Sequence, residues 1–570
     1  MDDPDGRPTA TNESQHHHTQ RIRIVMAEQP GAHGRTGATS SPTAPASPTN
    51  EASTDASLNA RVKTPHRRPW AWIAVAAVAV VAVVIGIIAI VNRPATQQAG
   101  RRDTVTIGLK LAPTNLDIRN QSGSALDQIL IGNVYEGLVA RDENNQVVPA
   151  LAASWEESAD GLTYTFHLNE GMSFSNGDEL NADDVVWSIQ ELVGKQYHDA
   201  SSLTNFGSIT AVDPNTVELR LSAPNSNLLW TLAGRCGLVF DQDAEYDMKT
   251  EAIGSGPYLV SEFRANDSIT LKANPNYWGE HRAATETVVV RYFTDDNAAV
   301  NALASGDVQV LAPISENLAG QFADDPDHYT VQAGDGTDKY VLAFNGAGEH
   351  TSDPRIRQAI RYAIDHEELI ASRGGADAPL GGPIPSLDPG YEDLTDLYPH
   401  DVDKALELMA EAGYGPDNPL TLRLEYSNTY GTDLGDQLRS QLAQIGIDLQ
   451  VEVVEFSTWL QDVYTNKDYD LSLVDHNESH DFYQWADPEY YYNYDNPEVQ
   501  SLYAQALAAT DDAARDDLLR QAARMVSEDA PADWLFNYRI TTAWVNGVEG
   551  FPVNLNQTQL PLWNLAYESE

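Results

Sequence analysis

The stretch WAWIAVAAVAVVAVVIGIIAIV, Trp70 to Val91, holds no charged residue and a single Gly. A helix needs about 20 apolar residues to cross a bilayer, and this run supplies them. A helix packed inside a soluble core would carry a polar stripe, and none is present. Trp70 and Trp72 stand at one end, where indoles favour the membrane–water interface. Arg61, Lys63, Arg67 and Arg68 precede the run, whereas only Arg93 follows it closely. The positive-inside rule therefore predicts a cytoplasmic tail over 1–68, a signal anchor over 69–92 and an extracytoplasmic remainder. A cleaved signal peptide is the rival reading. Its apolar part would be shorter, and no small-x-small cleavage site follows at once.

Residues 1–68 are rich in Pro, Ser, Thr and Ala without apolar periodicity, which predicts disorder. Residues 93–103 read as a linker to a folded body from 104 onward. The chain carries 84 acidic against 35 basic residues, a net charge of −49. Such a surface repels nucleic-acid phosphates and stays soluble outside the cell. It also attracts cations without identifying any. The single cysteine, Cys236, excludes an internal disulfide and a Cys-rich metal site, and it reads as a buried thiol.

Within the folded body, TVTIGLKL alternates as a strand, and SALDQILIGNVYEGLVA places Leu126, Ile129, Leu130, Val134 and Leu138 at helical spacing. LTYTFHL is a strand with Leu162, Tyr164, Phe166 and Leu168 on one face. NADDVVWSIQELV is a helix capped by Asn181. SITAVDPNTVELRL is a strand, a turn at Asp213-Pro214 and a strand. Further on, DPRIRQAIRYAIDHEELIA reads as one helix with Asp353 as N-cap and Pro354 at its first turn. DVDKALELMAEAGY is a helix ending at Gly413. LTLRLEY, DLQVEVVEF and YDLSLVD are strands separated by helical patterns, as in an α/β lobe.

The last of these strands runs into LVDHNESHDFYQW, where Asp475, His476, Glu478, His480 and Asp481 crowd together. Ligands of open α/β sheets bind beyond the carboxyl ends of the strands. Asp475, His476, Glu478 and Asp481 are therefore candidate ligand contacts, with Trp485 beside them. If the strand continues, His476, Glu478 and His480 share one side and form a weak alternative, a metal site. Tyr340 and Asn345 in YVLAFN are further cleft candidates, with a turn or capping role as the alternative for Asn345. In GSGPY, Gly254 and Gly256 allow positive φ or close backbone approach. In NPNYW, Tyr277 and Trp278 read as packing residues.

Several segments together carry a family resemblance: VPALAASWEES, GLTYTFHLNEGMSFSNGDELNADDVVWSI, GSGPYLV, NPNYWG, YVLAFN, DPRIRQAIRYAIDHEELI, DVDKALELMAEAGY, FSTWL, YDLSLVD and YDNPEVQ. In this order the chain from about Thr104 to Asn564 resembles the extracytoplasmic solute-binding proteins of ATP-driven importers, in the peptide-binding group called family 5. The resemblance implies an α/β, two-lobed clamshell of the periplasmic-binding-protein type with an extra subdomain on the first lobe. The first lobe with its subdomain is expected over 104–345, the second over 346–525, with a return to the first over 526–570. It also implies an acid in the loop after the YDL strand that pairs with a peptide's α-amino group; Asp475, Glu478 and Asp481 are the candidates. Two departures stand out. No lipoprotein Cys follows the apolar run, and Asn169 occupies a position where the pattern has a basic residue.

The expected function is that of a cell-membrane-anchored, extracytoplasmic receptor. It would capture di- to oligopeptides, or another small solute, by lobe closure and deliver them to ABC permease subunits with their ATPases. No cofactor and no nucleic acid are expected. The alternatives are a metal or nickel-chelate receptor of the same fold, and a membrane-anchored sensor that has lost transport. No G-x-S-x-G, H-E-x-x-H or Walker A pattern supports an enzyme.

Overall fold

The strand expected in TVTIGLKL forms over Thr104–Leu109 and becomes the central strand of a seven-stranded sheet. It runs parallel to both of its neighbours, Val310–Leu311 and Thr287–Tyr292, with Val105, Ile107 and Leu109 buried. The structure, a computed structural model, describes residues 100–569. The expected tail and the apolar run Trp70–Val91 lie outside the described residues. Among the described residues no helix is long and apolar enough to cross a membrane.

A four-stranded antiparallel sheet is inserted after the first strand, ordered Ala152–Glu157, Thr163–Leu168, Thr216–Leu221, Phe206–Asp213. Tyr164, Phe166 and Leu168 alternate into its core, where Val185, Ile189 and Leu192 of the helix Ala182–Lys195 join them. Asn181 caps that helix in a reciprocal box with Asp184, satisfying two backbone N–H groups. Cys236 is buried in the same core.

The second large sheet has five strands, ordered Ile447–Val454, Leu420–Ser427, Leu471–His476, Lys339–Phe344, Ala532–Asn537. The first three run parallel and the last two antiparallel to their neighbours. Helices Val402–Ala412 and Asp433–Ala443 supply the crossovers, and Gly413 ends the first of them in the left-handed region (φ 94). Strand membership moves the expected lobe boundaries. Tyr329–Gly334 lies in the seven-stranded sheet and Lys339–Phe344 in the five-stranded one. The chain thus passes between sheets at 335–338 and returns at 538–539, not at 345/346 and 525/526. Lys339–Phe344 and Ala532–Asn537 are both largely buried strands, and nothing in their local pattern says which sheet they join.

Two helix expectations change. DPRIRQAIRYAIDHEELIA is two helices, Pro354–Ala363 and His366–Ser372, because Ile364 is extended and the Asp365 side chain caps the second by accepting from Glu368 N. The helix from Ser124 ends at Leu130, and Val134 and Leu138 are buried in the turns that follow.

GSGPY and NPNYW meet at one buried acid. Glu136 accepts from Ser255 Oγ (2.8 Å), Tyr277 OH (2.9 Å) and Trp278 Nε1 (3.1 Å). Burial pushes its carboxyl up to about 7 against these three donors. Gly254 and Gly256 do not have positive φ. They are small because a Cβ on either would strike the backbone of Val134 or Asn133. Glu136→Ala leaves three buried donors unsatisfied, so it should lower unfolding free energy by about 2–4 kcal/mol in urea melts.

Candidate functional site

Register decides what the DHNESHD segment does. In the antiparallel pair, Tyr340 sits opposite Asp475 and Lys339 opposite His476. Directly opposed residues share a face, so Tyr340 and Asp475 point one way and Lys339 and His476 the other.

On the Lys339 face the polar groups are already satisfied. Lys339 Nζ lies 3.1 Å from Asp481 Oδ2, with both side chains 3 % exposed. It also donates to Thr337 O (3.0 Å) and Glu478 O (2.7 Å). Burial holds Asp481 up to about 6, with Lys339 opposing. His476 Nε2 contacts Tyr492 OH (2.6 Å) and Tyr491 OH (3.2 Å). Burial pushes this imidazole down to about 3, so it is neutral. Trp485 stacks on Tyr492 at 4.3 Å between ring centres and packs on Trp534. These residues form a core. Asn345, at the far end of the same strand, donates to Lys467 O and Tyr469 O and accepts from Ala347 N, which is a turn-forming role.

The strand ends at His476, so the expected side-by-side array of His476, Glu478 and His480 does not form. His480 takes a left-handed backbone (φ 56) and stacks on Trp230 of the first lobe at 4.6 Å, with Nδ1 3.1 Å from Asn227 Oδ1. Among the described residues no group of three or more His, Cys, Asp or Glu is placed to hold a metal ion. Beside His480, Asn145 of the first lobe donates to Asp388 Oδ1 (3.0 Å) and Ser479 Oγ (2.7 Å). This part of the loop therefore joins the two lobes.

The Asp475 face is different. Tyr340 stacks on Phe536 at 4.7 Å and meets Tyr430 and Tyr538 edge-on. The Arg373 guanidinium lies over Tyr340, Phe536 and Tyr538, and pairs with Asp377 at 2.6 Å. Asp475 is half-buried as a residue, yet its Oδ1 is shielded from solvent and accepts no hydrogen bond among the described residues. Burial, then the charge of Asp338, pushes the Asp475 carboxyl well above the carboxylate range. Asp338, two residues before Tyr340, is 5 % exposed, and burial raises it to about 7 against the pull of Lys339.

Of the residues gathered on this face, Asp475 and Tyr340 are sequence candidates, whereas Asp338, Arg373, Asp377, Tyr430 and Tyr538 are not. Asp338 had a local signal. In D-K-Y, alternation puts Asp338 and Tyr340 on one side and Lys339 on the other. The remaining four arrive through tertiary packing.

Asp338 has a consequence for stability. Its raised carboxyl favours the protonated form in the folded state, so the folded protein loses stability as pH rises from the unfolded value through about 7. Asp338→Asn removes that penalty. The variant should melt higher than the parent, by about 1–3 kcal/mol at pH 8 and by less at pH 5, in calorimetry across that range.

A family model, Bacterial extracellular solute-binding proteins, family 5 Middle, matches residues 146–500. The chain is 30% identical over 390 residues to Di/tripeptide-binding protein 2 of Pseudomonas aeruginosa, covering 62% of this chain and 72% of the relative. It is 27% identical over 467 residues to the Glutathione-binding protein GsiB of Pectobacterium atrosepticum, covering 77% and 90%. Among solved structures it superposes on the ABC transporter substrate binding protein CtaP of Listeria monocytogenes with a TM-score of 0.73 at 21% identity, covering 83% of this chain and 100% of that one. With its two sheets, its inserted subdomain and this match over most of the folded body, the chain belongs to the bacterial extracellular solute-binding proteins of family 5.

Proposed function

We propose that this protein, a binding protein and not an enzyme, captures peptides with a free α-amino group outside the cytoplasm and passes them to an ABC permease. The observation that carries the reading is the unpartnered, shielded oxygen of Asp475 beside the Tyr340 cluster, at the carboxyl end of a sheet strand. A buried carboxylate without a counter-ion is unfavourable, and a ligand ammonium that pairs with it gains affinity and specificity together. Among the acids of the loop, Asp481 is already neutralised by Lys339, whereas Asp475 keeps a shielded oxygen that accepts no hydrogen bond among the described residues. Asp475 is therefore the acid we assign to the ammonium. Closure of the lobes would use the contacts of Asn145, Asn227 and Trp230 with the 479–480 segment. The apolar run Trp70–Val91 supports anchoring at the membrane, on sequence grounds alone.

The two relatives point to different peptides. In glutathione the γ-glutamyl end carries a carboxylate next to its ammonium. Asp338 and Asp475 would repel that carboxylate, so an ordinary α-linked peptide fits this site better.

Calorimetric titration with free and N-acetylated di- and tripeptides tests the assignment. Free peptides should bind, acetylated ones should not, and Asp475→Asn should weaken binding by about 100-fold. A response to nickel salt alone, reversed by chelator, would overturn the peptide reading. The pH dependence has a definite sign. Burial raises both Asp475 and Asp338, Asp338 to about 7, and each must be ionised to pair with a cation. Affinity should fall as pH drops from 7.5 to 5.5, and titrations in buffers of different ionisation enthalpy should register proton release on binding.

A further inference from the structure

Cations and acids around the site can be matched one to one. Lys339 pairs with Asp481 at 3.1 Å, Arg373 with Asp377 at 2.6 Å and Arg539 with Asp335 at 2.8 Å. Asp377 also accepts from Arg539 N (3.2 Å), which holds it in place. Asp338 and Asp475 are left over. Neither carboxylate has an ion-pair or hydrogen-bond partner among the described residues. Asp338 is 5 % exposed, and the Oδ1 of Asp475 is shielded. A single α-amino group neutralises one of these charges and leaves the second buried and uncompensated, which is strongly unfavourable.

The surroundings also suit a second organic cation. Arg373 already shows how a guanidinium lies here, flat against Tyr340, Phe536 and Tyr538 with a carboxylate at its edge. Tyrosine faces attract cations through the ring quadrupole, and Tyr538 lies within the field of both Asp338 and Asp475. A metal ion would find too few additional oxygen or nitrogen donors beside these rings.

We propose that the favoured ligands are peptides beginning with Lys or Arg, whose α-amino group pairs with Asp475 while the side-chain cation pairs with Asp338. This rests on the peptide reading above and adds the first-residue preference to it. Asp338 stands two residues before Tyr340, which lies directly opposite Asp475, so the two acids flank the same end of this strand pair. A neutral first residue offers Asp338 no cation, so that peptide forms one ion pair fewer and binds more weakly than one beginning with Lys or Arg.

The test is titration of the full-length protein with Lys-Ala-Ala, norleucine-Ala-Ala and Ala-Ala-Ala. Norleucine keeps the aliphatic length of lysine and lacks its charge. Lys-Ala-Ala should bind at least about tenfold tighter than the norleucine peptide. In Asp338→Asn the ratio between these two peptides should collapse towards one, and in Asp338→Glu it should persist. Equal binding of the lysine and norleucine peptides by the parent overturns the inference and leaves the peptide reading standing. Failure of all three peptides to bind overturns both. A lysine preference that survives unchanged in Asp338→Asn overturns the assignment to Asp338.

Discussion

The buried Lys339–Asp481 pair is the interaction on which the arrangement of the site depends. Lys339 opens the strand that enters the second sheet, and Asp481 lies in the loop that leaves that sheet after His476. Their bond, with the two carbonyls that Lys339 also reaches, ties the sheet-to-sheet passage at 335–338 to the 477–481 loop. Removing either partner would strand a buried charge, a loss of about 3–5 kcal/mol. The pair also fixes the electrostatics of the opposite face. Because Lys339 is turned away and satisfied, it offers Asp338 and Asp475 only a field and no bond. The excess acidity of the candidate site follows from where this lysine points.

The two halves of the loop then have different work. Asp475 shares the face of Tyr340, with Asp338 two residues before that tyrosine, whereas Ser479 and His480 meet Asn145, Asn227 and Trp230 of the first lobe. The contacts of Ser479 and His480 with the first lobe are neutral hydrogen bonds and one ring stack, each worth about 1 kcal/mol. Contacts of that strength would bring the lobes together without locking them. On the proposed reading, ion pairs formed inside a closing, water-poor cleft are worth more, so a bound cation would have the larger say in which state persists.

Much of this architecture was legible in the sequence, for identifiable reasons. The scaffold motifs, the cap at Asn181, the stop at Gly413 and the strand feeding the acidic loop depend on local chemistry, and all are where the pattern put them. The choice among Asp475, Glu478 and Asp481 was not legible. It turns on a lysine over a hundred positions earlier in the chain and on the register that sets it opposite His476. His476 and Trp485 looked like cleft residues because polar and aromatic types suit clefts, and they equally suit a hydrogen-bonded aromatic core. The metal array assumed a continuing strand, and the left-handed turn at His480 breaks that assumption. Asp365 looked like a mid-helix residue, yet its short acceptor side chain captures a backbone N–H and starts a new helix.

The same sign of charge acts at two distances, and the two effects separate. The net charge of −49 draws cations from solution, but beyond about 8–10 Å that field is screened at physiological salt. It therefore governs the rate of encounter and fades as ionic strength rises. Asp338 and Asp475 act at contact distance in a buried setting, where screening is slight. On the proposed reading they would govern how long a cationic ligand stays, through the charge left unpaired when it leaves. An acidic surface alone would concentrate any cation without choosing among them. On the proposed reading, choice would come from the two carboxylates that the Lys339–Asp481 pair leaves without partners, beside rings that already hold one guanidinium, that of Arg373.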